Sequence, residues 1–387
     1  MSGPQISWLP DGRRLHMNHG PIDLIVEAWG EAREAQLAYE QAAARFKTIL
    51  DELVAELVQL RCPVKYLPPP LTPPHKGRAV AYELTTPSSG RFATTFSPRG
   101  EERSAEISSL LSPWGEGRRA KRRRGEGDIR AICDCPAPHK GEGGVSVSES
   151  PSPLWGGARG GGSLACENGF TSSTARRMAA AVTPFAPTFI TPMAAVAGAV
   201  ADEMLAALRA GRDLRKAYVN DGGDITLLVT PGEQLAVGIG GTGGGERFEV
   251  THDMPVRGVA TSGWRGRSHS LGIADAVTVL AASGAAADAA ATIIANDVDL
   301  PGHPAIARAP AHVLQPDSDL GARLVTTGVG ALRDDEIARA LDNGLATAQR
   351  LMDRGLIFGA ALFLGGDVRM VGPLVSERIS LESSIHA

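Results

Sequence analysis

From Leu71 to Ala165 the chain cannot build a packed core, and this stretch divides everything else into two parts. It is rich in Pro, Gly, Ser and Arg and shows no sustained hydrophobic period. It also repeats itself. Pro73-Pro-His-Lys-Gly77 returns as Pro138-His-Lys-Gly141, and Ser97-Pro-Arg-Gly-Glu101, Ser112-Pro-Trp-Gly-Glu116 and Ser152-Pro-Leu-Trp-Gly156 vary one theme. Near-repeats without an apolar stripe bury too little surface to offset chain entropy, so disorder is expected here. The stretch reads as translated repeat DNA carried in frame. The expected organisation is therefore an N-terminal hairpin and long helix over 1–66, an insert over 67–170, a main domain over 171–375 and a tail over 376–387.

Charge divides at the same borders. Residues 71–165 hold 14 Lys+Arg against 10 Asp+Glu, whereas the rest holds 25 against 33. The total of −4 thus combines a basic insert with an acidic body, and an acidic body argues against nucleic acid as the main partner. The basic run Gly117-Arg-Arg-Ala-Lys-Arg-Arg-Arg124 would attract polyanions without specificity and reads as solvated sequence. Cys133, Cys135 and His139 could ligate zinc, but their spacing matches no standard zinc knuckle. Four cysteines make no disulfide framework. No signal peptide or membrane-length apolar run is visible, so a cytoplasmic protein without a membrane partner is expected.

Both flanks carry clear periodicity. Pro10-Asp-Gly12 predicts a hairpin turn between strands at Ile6–Trp8 and Leu15–Met17, with another strand at Ile22–Val26. His16 and His19, beside these strands, read as surface residues. Helical spacing then runs from Glu31 to Arg61 and stops before Pro63. Past the insert, helices are predicted over Ala175–Val182, from Thr191-Pro192 to Ala210, over Ala285–Asn296 and over Asp334–Arg354. Strands are predicted at Ala217–Asn220, Ile225–Val229, Ala276–Leu280 and Leu324–Val329, with hairpins over Leu235–Val250 and Leu356–Val371. A loop is expected at Thr261–His269 and a Pro-rich loop ahead of Leu324. Hairpins alternating with helices indicate an α+β fold.

Three pieces carry groups with chemistry. Asp288 and Thr292 lie four apart on a predicted helix and so share a face; their hard oxygens suit Mg²⁺ or Ca²⁺. The same spacing also suits an Ala-rich buried helix whose Asp and Thr cap or bond locally. In Asn220-Asp-Gly-Gly-Asp-Ile225 the paired glycines let backbone approach a ligand, and they also suit an ordinary tight turn. Thr261-Ser-Gly-Trp264 with Arg265, Arg267 and His269 offers hydroxyls, guanidinium groups and a stacking ring to a phosphate-bearing ligand, or forms a solvated loop. Gly238-Ile-Gly-Gly-Thr-Gly-Gly-Gly245 contains G-x-G patterns. It leads into a strand rather than a helix, and so lacks a dinucleotide-fold phosphate cradle.

The order of Ala197-Gly-Ala-Val-Ala-Asp202, Asn220-Asp-Gly-Gly-Asp-Ile225, Ala260-Thr-Ser-Gly263 and Ala287-Asp-Ala-Ala-Ala-Thr292 resembles that of ApbE proteins, the Mg²⁺-dependent FAD:protein FMN transferases. With the N-terminal segments and Pro316-Asp-Ser-Asp-Leu320, the chain is more similar still to an uncharacterised bacterial and archaeal ApbE-related branch. The resemblance implies a T-fold-related architecture of mixed and antiparallel sheets packed with helices. It implies Mg²⁺ held by Asp288, Thr292 and main chain at Val196. It further implies FAD or FMN as ligand in a cleft lined by Asn220, Gly222, Gly223 and Asp224 and bordered by Thr261, Ser262 and Gly263. The partner it implies is a small phosphorylated molecule, and a homo-oligomer stays open. Two departures stand against transfer itself. Where transferases read Lys-Gly-Tyr-Ala-Val-Asp, this chain has lost the lysine and the tyrosine, and no His-x-x-Asp-Pro-x-Thr-Gly segment follows Ser262-Gly263. The resemblance therefore leaves two readings: a Mg²⁺-dependent transferase or hydrolase, and a ligand-binding or structural relative without catalysis.

Overall fold

Asp11 closes the first turn by accepting the amides of Arg13 at 2.9 Å and Arg14 at 3.0 Å, and Gly12 supplies the left-handed backbone at φ 67°. A computed structural model describes residues 3–64, 169–240 and 247–374. These form one compact unit. The disorder expected of the insert, the Cys133/Cys135/His139 group and the basic run at 117–124 all lie outside the described residues.

Thirteen strands are described: β1 Gln5–Trp8, β2 Leu15–His19, β3 Ile22–Gly30, β4 Leu214–Asp221, β5 Asp224–Val229, β6 Gln234–Gly238, β7 Arg247–Thr251, β8 Gly258–Ser262, β9 Ala276–Ala281, β10 Ile306–Pro310, β11 Leu324–Val329, β12 Gly359–Leu364 and β13 Asp367–Val371. Nine of them make one antiparallel sheet in the order β1-β2-β3-β4-β5-β8-β9-β12-β13. The pairs β6–β7 and β10–β11 stand apart as two-stranded ribbons. The seam between β5 and β8 is the narrowest, with only Ile225↔Val259 and Thr226↔Gly258 in register.

The helices are α1 Ala32–Ala55, the single turn α2 Leu57–Leu60, α3 Ser173–Val182, α4 Val196–Arg209, α5 Gly284–Asp297, the single turn α6 Ala311–Leu314 and α7 Asp334–Asp353. Strand alternation assigns the two faces of the sheet. Met17, Leu24, Val219, Ala260, Val279 and Leu362 point to the helical side and share a core with Phe46, Met204 and Ile294. Tyr218, Leu227, Val259, Leu280 and Phe363 point the other way and are covered by Leu235, Val237 and Phe248 of the β6–β7 ribbon. The fold is α+β, as expected.

The chain segments flanking residues 65–168 are tied together. Glu56 accepts from the Thr171 amide at 2.6 Å, the Thr171 hydroxyl at 2.7 Å and the Ser172 amide at 3.2 Å, and the Val64 amide donates to Ile190 O at 3.1 Å. The Pro316–Leu320 segment braces the same region. Asp317 pairs with Arg61 at 2.6 Å, and Asp319 accepts from the Thr191 hydroxyl.

Several expectations need correction. The helix predicted from Thr191-Pro192 opens only at Val196, after a 3₁₀ turn over Pro192–Ala195, and the Thr191 hydroxyl donates to Asp319 instead of capping it. The helix predicted from Glu31 to Arg61 breaks at Glu56, whose φ of −107° and ψ of 8° leave the helical region. Strand β10 occupies part of the expected Pro-rich loop, pairing with β11 up to Pro310↔Leu324. His19 is only 7% exposed and packs edge-on against Phe46, since alternation puts it on the Leu15–Met17 face.

Candidate functional site

Small residues bring α4 and α5 together at their N-terminal ends. A Cβ on Gly198 would sit 2.2 Å from the Gly284 carbonyl oxygen, so the crossing is backbone on backbone. Each helix then supplies the other's cap. Asp202 of α4 accepts from the Gly284 amide (2.9 Å), the Ala285 amide (2.9 Å) and the Thr226 hydroxyl (2.8 Å). Asp288 of α5 accepts from the Gly198 amide at 3.0 Å and from the Ala197 amide. Carboxylates suit helix N-termini because the first-turn amides lack helical partners and carry a partial positive charge. Ala195, at the N-cap of α4, offers no side-chain acceptor, whereas Ser283 at the N-cap of α5 accepts the Ala286 amide at 3.2 Å. Val196 opens α4 beside the amides that hold Asp288, and Thr292 follows one turn along α5, half-buried.

The turn between β4 and β5 reaches the same place. Asp221 and Asp224 pair across it and fall on the helical face with Leu24. Asp221 is 4% exposed; burial pushes its carboxyl up to about 8, with Asp224 adding to the rise and the Asp23 amide and Arg267 opposing it. Burial raises Asp224 to about 7 against the Thr261 amide, which donates to its Oδ1 at 3.1 Å, and against the Arg267 charge. Burial, then the Asp224 and Asp221 charges, push Asp288 well above the ordinary aspartate range despite the two amides. The row on α5 and the Asn220–Asp224 turn are thus close enough for their carboxylates to act on one another.

The other predicted lining residues divide about the sheet. Asn220 shares the opposite face with Ile25 and Ile225, and its Oδ1 accepts the Gly223 amide at 2.8 Å, bracing the turn from within. Gly222 and Gly223 adopt φ 62° and 116°. A Cβ on Gly222 would meet Arg267 Nη2 at 2.2 Å. Thr261 and Ser262 prove to be the end of β8, not loop, because they pair with Thr278 and Val277 of β9. The Thr261 amide serves Asp224 while its hydroxyl bonds Thr278 at 2.8 Å, beside Gly240. Ser262 returns to the helical face. Gly263 packs so closely that a Cβ there would lie 2.5 Å from the Asp275 carbonyl oxygen.

Among the described residues, no group of three or more His, Cys, Asp or Glu side chains is arranged to hold a metal ion. A cation here would draw on Asp288 with hydroxyl, main-chain and ligand oxygens. Two hollows lie elsewhere. One of about 340 Å³ is lined by Arg177, Phe185, Asp202 and Ser283, behind the start of α5. One of about 460 Å³ is lined by Arg45, Glu52, Thr171 and Arg176. Neither includes Asp288 or Asp224, which are marked instead by the polar groups gathered around them.

The family described as AbpE bacteria matches residues 6–90 and 162–370, more than half of the chain and all of the elements above but the first residue of β1 and the last of β13. The chain belongs to that family. Within this AbpE bacteria chain, residues 91–161 have no counterpart in the family pattern. The UPF0280 protein of Methanothermobacter thermautotrophicus is 41% identical over 115 residues, 28% of this chain and 43% of that protein. The UPF0280 protein of Methanopyrus kandleri is 40% identical over 133 residues, 32% and 48% of the two chains, and that of Methanosphaerula palustris is 42% identical over 113 residues, 28% and 46%. The chain aligns with less than half the length of these curated relatives. No helix among the described residues is long and apolar enough to cross a membrane.

Sequence reasoning singled out Asp288 but missed Asp221 and Asp202, which the structure brings to the same helix ends and turn. Asp221 sits inside the quoted turn, and period-2 alternation from the buried Val219 could have put it on the helical face. Asp202 gives no local signal, because the amides it caps lie more than eighty residues away.

Proposed function

We propose that this crevice binds a small phosphorylated heterocycle, with a flavin nucleotide as the leading case, together with Mg²⁺. The observation that carries the reading is the convergence of the Asp288–Thr292 row with the Asn220–Asp224 turn. The motif order shared with ApbE transferases supports the ligand class. The donor set fits the cation: Asp288 is anchored by two amides, and its neighbours are carboxylates whose protons a cation would displace. Asp288, Thr292 and the Val196 carbonyl would hold it. Bound there, Mg²⁺ would neutralise phosphate charge and polarise a phosphoryl oxygen. The chain's own part is positional. Gly222 and Gly223 let backbone approach the ligand, and the Thr261 amide holds Asp224 in place. No catalytic residue is assigned.

Incubating the purified protein with FAD and Mg²⁺ and assaying for AMP, FMN and flavin-linked protein tests a transferase or hydrolase. Formation of these products, abolished by Asp288→Ala, is the expected outcome. Absence of product with no effect of that substitution rejects catalysis on FAD.

A second reading, a binding protein without catalysis, is favoured by one specific feature. Ala197 and Ala199 stand where transferases carry the lysine and tyrosine, and both belong to the tightly packed start of α4. Calorimetry with FMN and FAD separates the two: tight binding without turnover selects this reading.

A further inference from the structure

Two guanidinium groups leave the segment after β8, and their surroundings differ. Arg265 Nε donates to Asp275 at 2.7 Å, and its guanidinium lies 4.8 Å over the Trp264 ring, so both its charge and its plane are engaged. Arg267 makes no ion pair or hydrogen bond among the described residues, and it is exposed. It nevertheless stands directly over the Asn220–Asp224 turn, where a side chain at position 222 would collide with its Nη2 at 2.2 Å. Its charge acts on Asp221 and Asp224. Among the described residues Asp221 accepts the Asp23 amide at 3.3 Å and Asp224 the Thr261 amide at 3.1 Å. A planar fork of N–H groups is left beside an otherwise acidic cluster.

We infer that Arg267 is the specificity-determining anion anchor of this site, taking the phosphate or diphosphate of a cation-bound ligand, and that Arg265 has no part in binding. A guanidinium matches two phosphate oxygens at once, and the glycine beneath it leaves room for that approach. A phosphate beside Asp221, Asp224 and Asp288 meets repulsion once these carboxylates give up their protons to a bound cation, so its retention needs a cationic partner at the entrance. The inference deepens the proposed binding of a phosphorylated heterocycle and rests on it for the ligand class.

The test titrates the full chain with inorganic pyrophosphate in Mg²⁺ buffer by calorimetry, comparing wild type with Arg267→Ala, Arg267→Lys and Arg265→Ala. Arg267→Ala is expected to weaken binding by about tenfold or more and Arg267→Lys to recover part of it, whereas Arg265→Ala changes it by less than about twofold. No binding by wild type, or equal losses in the two alanine variants, overturns the anchor. So does a lower melting temperature of Arg267→Ala with unchanged pyrophosphate affinity, the signature of a structural counter-charge. A parallel titration with FMN and riboflavin tests the ligand class by itself. An Arg267-dependent pyrophosphate signal without preference for FMN over riboflavin upholds the anchor and removes the flavin reading.

Discussion

The N-termini of α4 and α5 are the same device in two settings. Each ends against the other through a glycine, and each has its free amides met by an aspartate from its neighbour. Around Asp202 two amides and a hydroxyl face the carboxylate, and Ser283 caps the same helix independently. Around Asp288 two further carboxylates face the group, and α4 has no cap of its own. A carboxylate on a helix end is therefore structural at one place and charged with unmet demand at the other. What separates them is the set of groups supplied by the β4–β5 turn, not the helix geometry.

The comparison breaks most visibly at Asp202. Asp202→Ala leaves two buried amides and a hydroxyl without their acceptor and should cost about 3 kcal/mol, a fall in Tm on the order of 10 °C by thermal denaturation. Asp288→Asn keeps an oxygen for the α4 amides and removes a carboxyl that is costly to ionise beside Asp221 and Asp224. It should leave Tm unchanged or raised while removing any Mg²⁺-dependent ligand binding; equal destabilisation by both variants would erase the distinction.

Proton linkage sharpens it next. The folded protein retains protons on Asp221, at about 8, and Asp224, at about 7, which an unfolded chain releases near 3.8. The native state then binds more protons than the unfolded one, so ligand-free stability falls as pH climbs from about 4 to about 8. Urea denaturation at pH 5, 7 and 9 should show this decline, and Asp221→Asn should flatten its upper part. An unchanged profile in the variant would mean that Asp221 is already ionised in the folded protein.

A smaller effect is expected from Ser283→Ala, about 1 kcal/mol, because Asp202 continues to serve the other two amides of α5. A loss as large as that of Asp202→Ala would make Ser283 the principal cap. Least of all should follow from deleting residues 71–165. Glu56 and Val64 already tie the flanks together, so the contacts that hold them survive the deletion. Calorimetric melting of the deletion variant should match the full chain, and a large drop in Tm would show that the stretch contributes to the fold.

Much of the architecture was legible because each element announces itself locally. Pro10-Asp-Gly12 marks the first hairpin, helical spacing marks α1 and α7, and the paired glycines of 222–223 mark the β4–β5 turn. The single break at Glu56 and the strand ending at Pro310 were hidden, since both depend on what packs against them and not on periodicity. His19 could have been placed by counting alternate residues from Leu15. For the site, Asp288 with Thr292 was readable from helical spacing, and the turn from its glycines. Their convergence was not, because it depends on α5 crossing α4 at Gly198 and on a sheet order that brings β8 beside β5. Nor could sequence tell Arg265 from Arg267, whose neighbours in the chain are alike and whose neighbours in space are not.

The sparse pairing between β5 and β8 has its own consequence. Asp224 belongs to one bank of that seam and Ser262 and Gly263 to the other, with a single side-chain bond from the Thr261 amide crossing between them near the crevice. A small molecule gripping both banks would work as a rivet in the sheet. Its occupancy would then be legible far from the crevice itself, as slower amide exchange along β5 and β8.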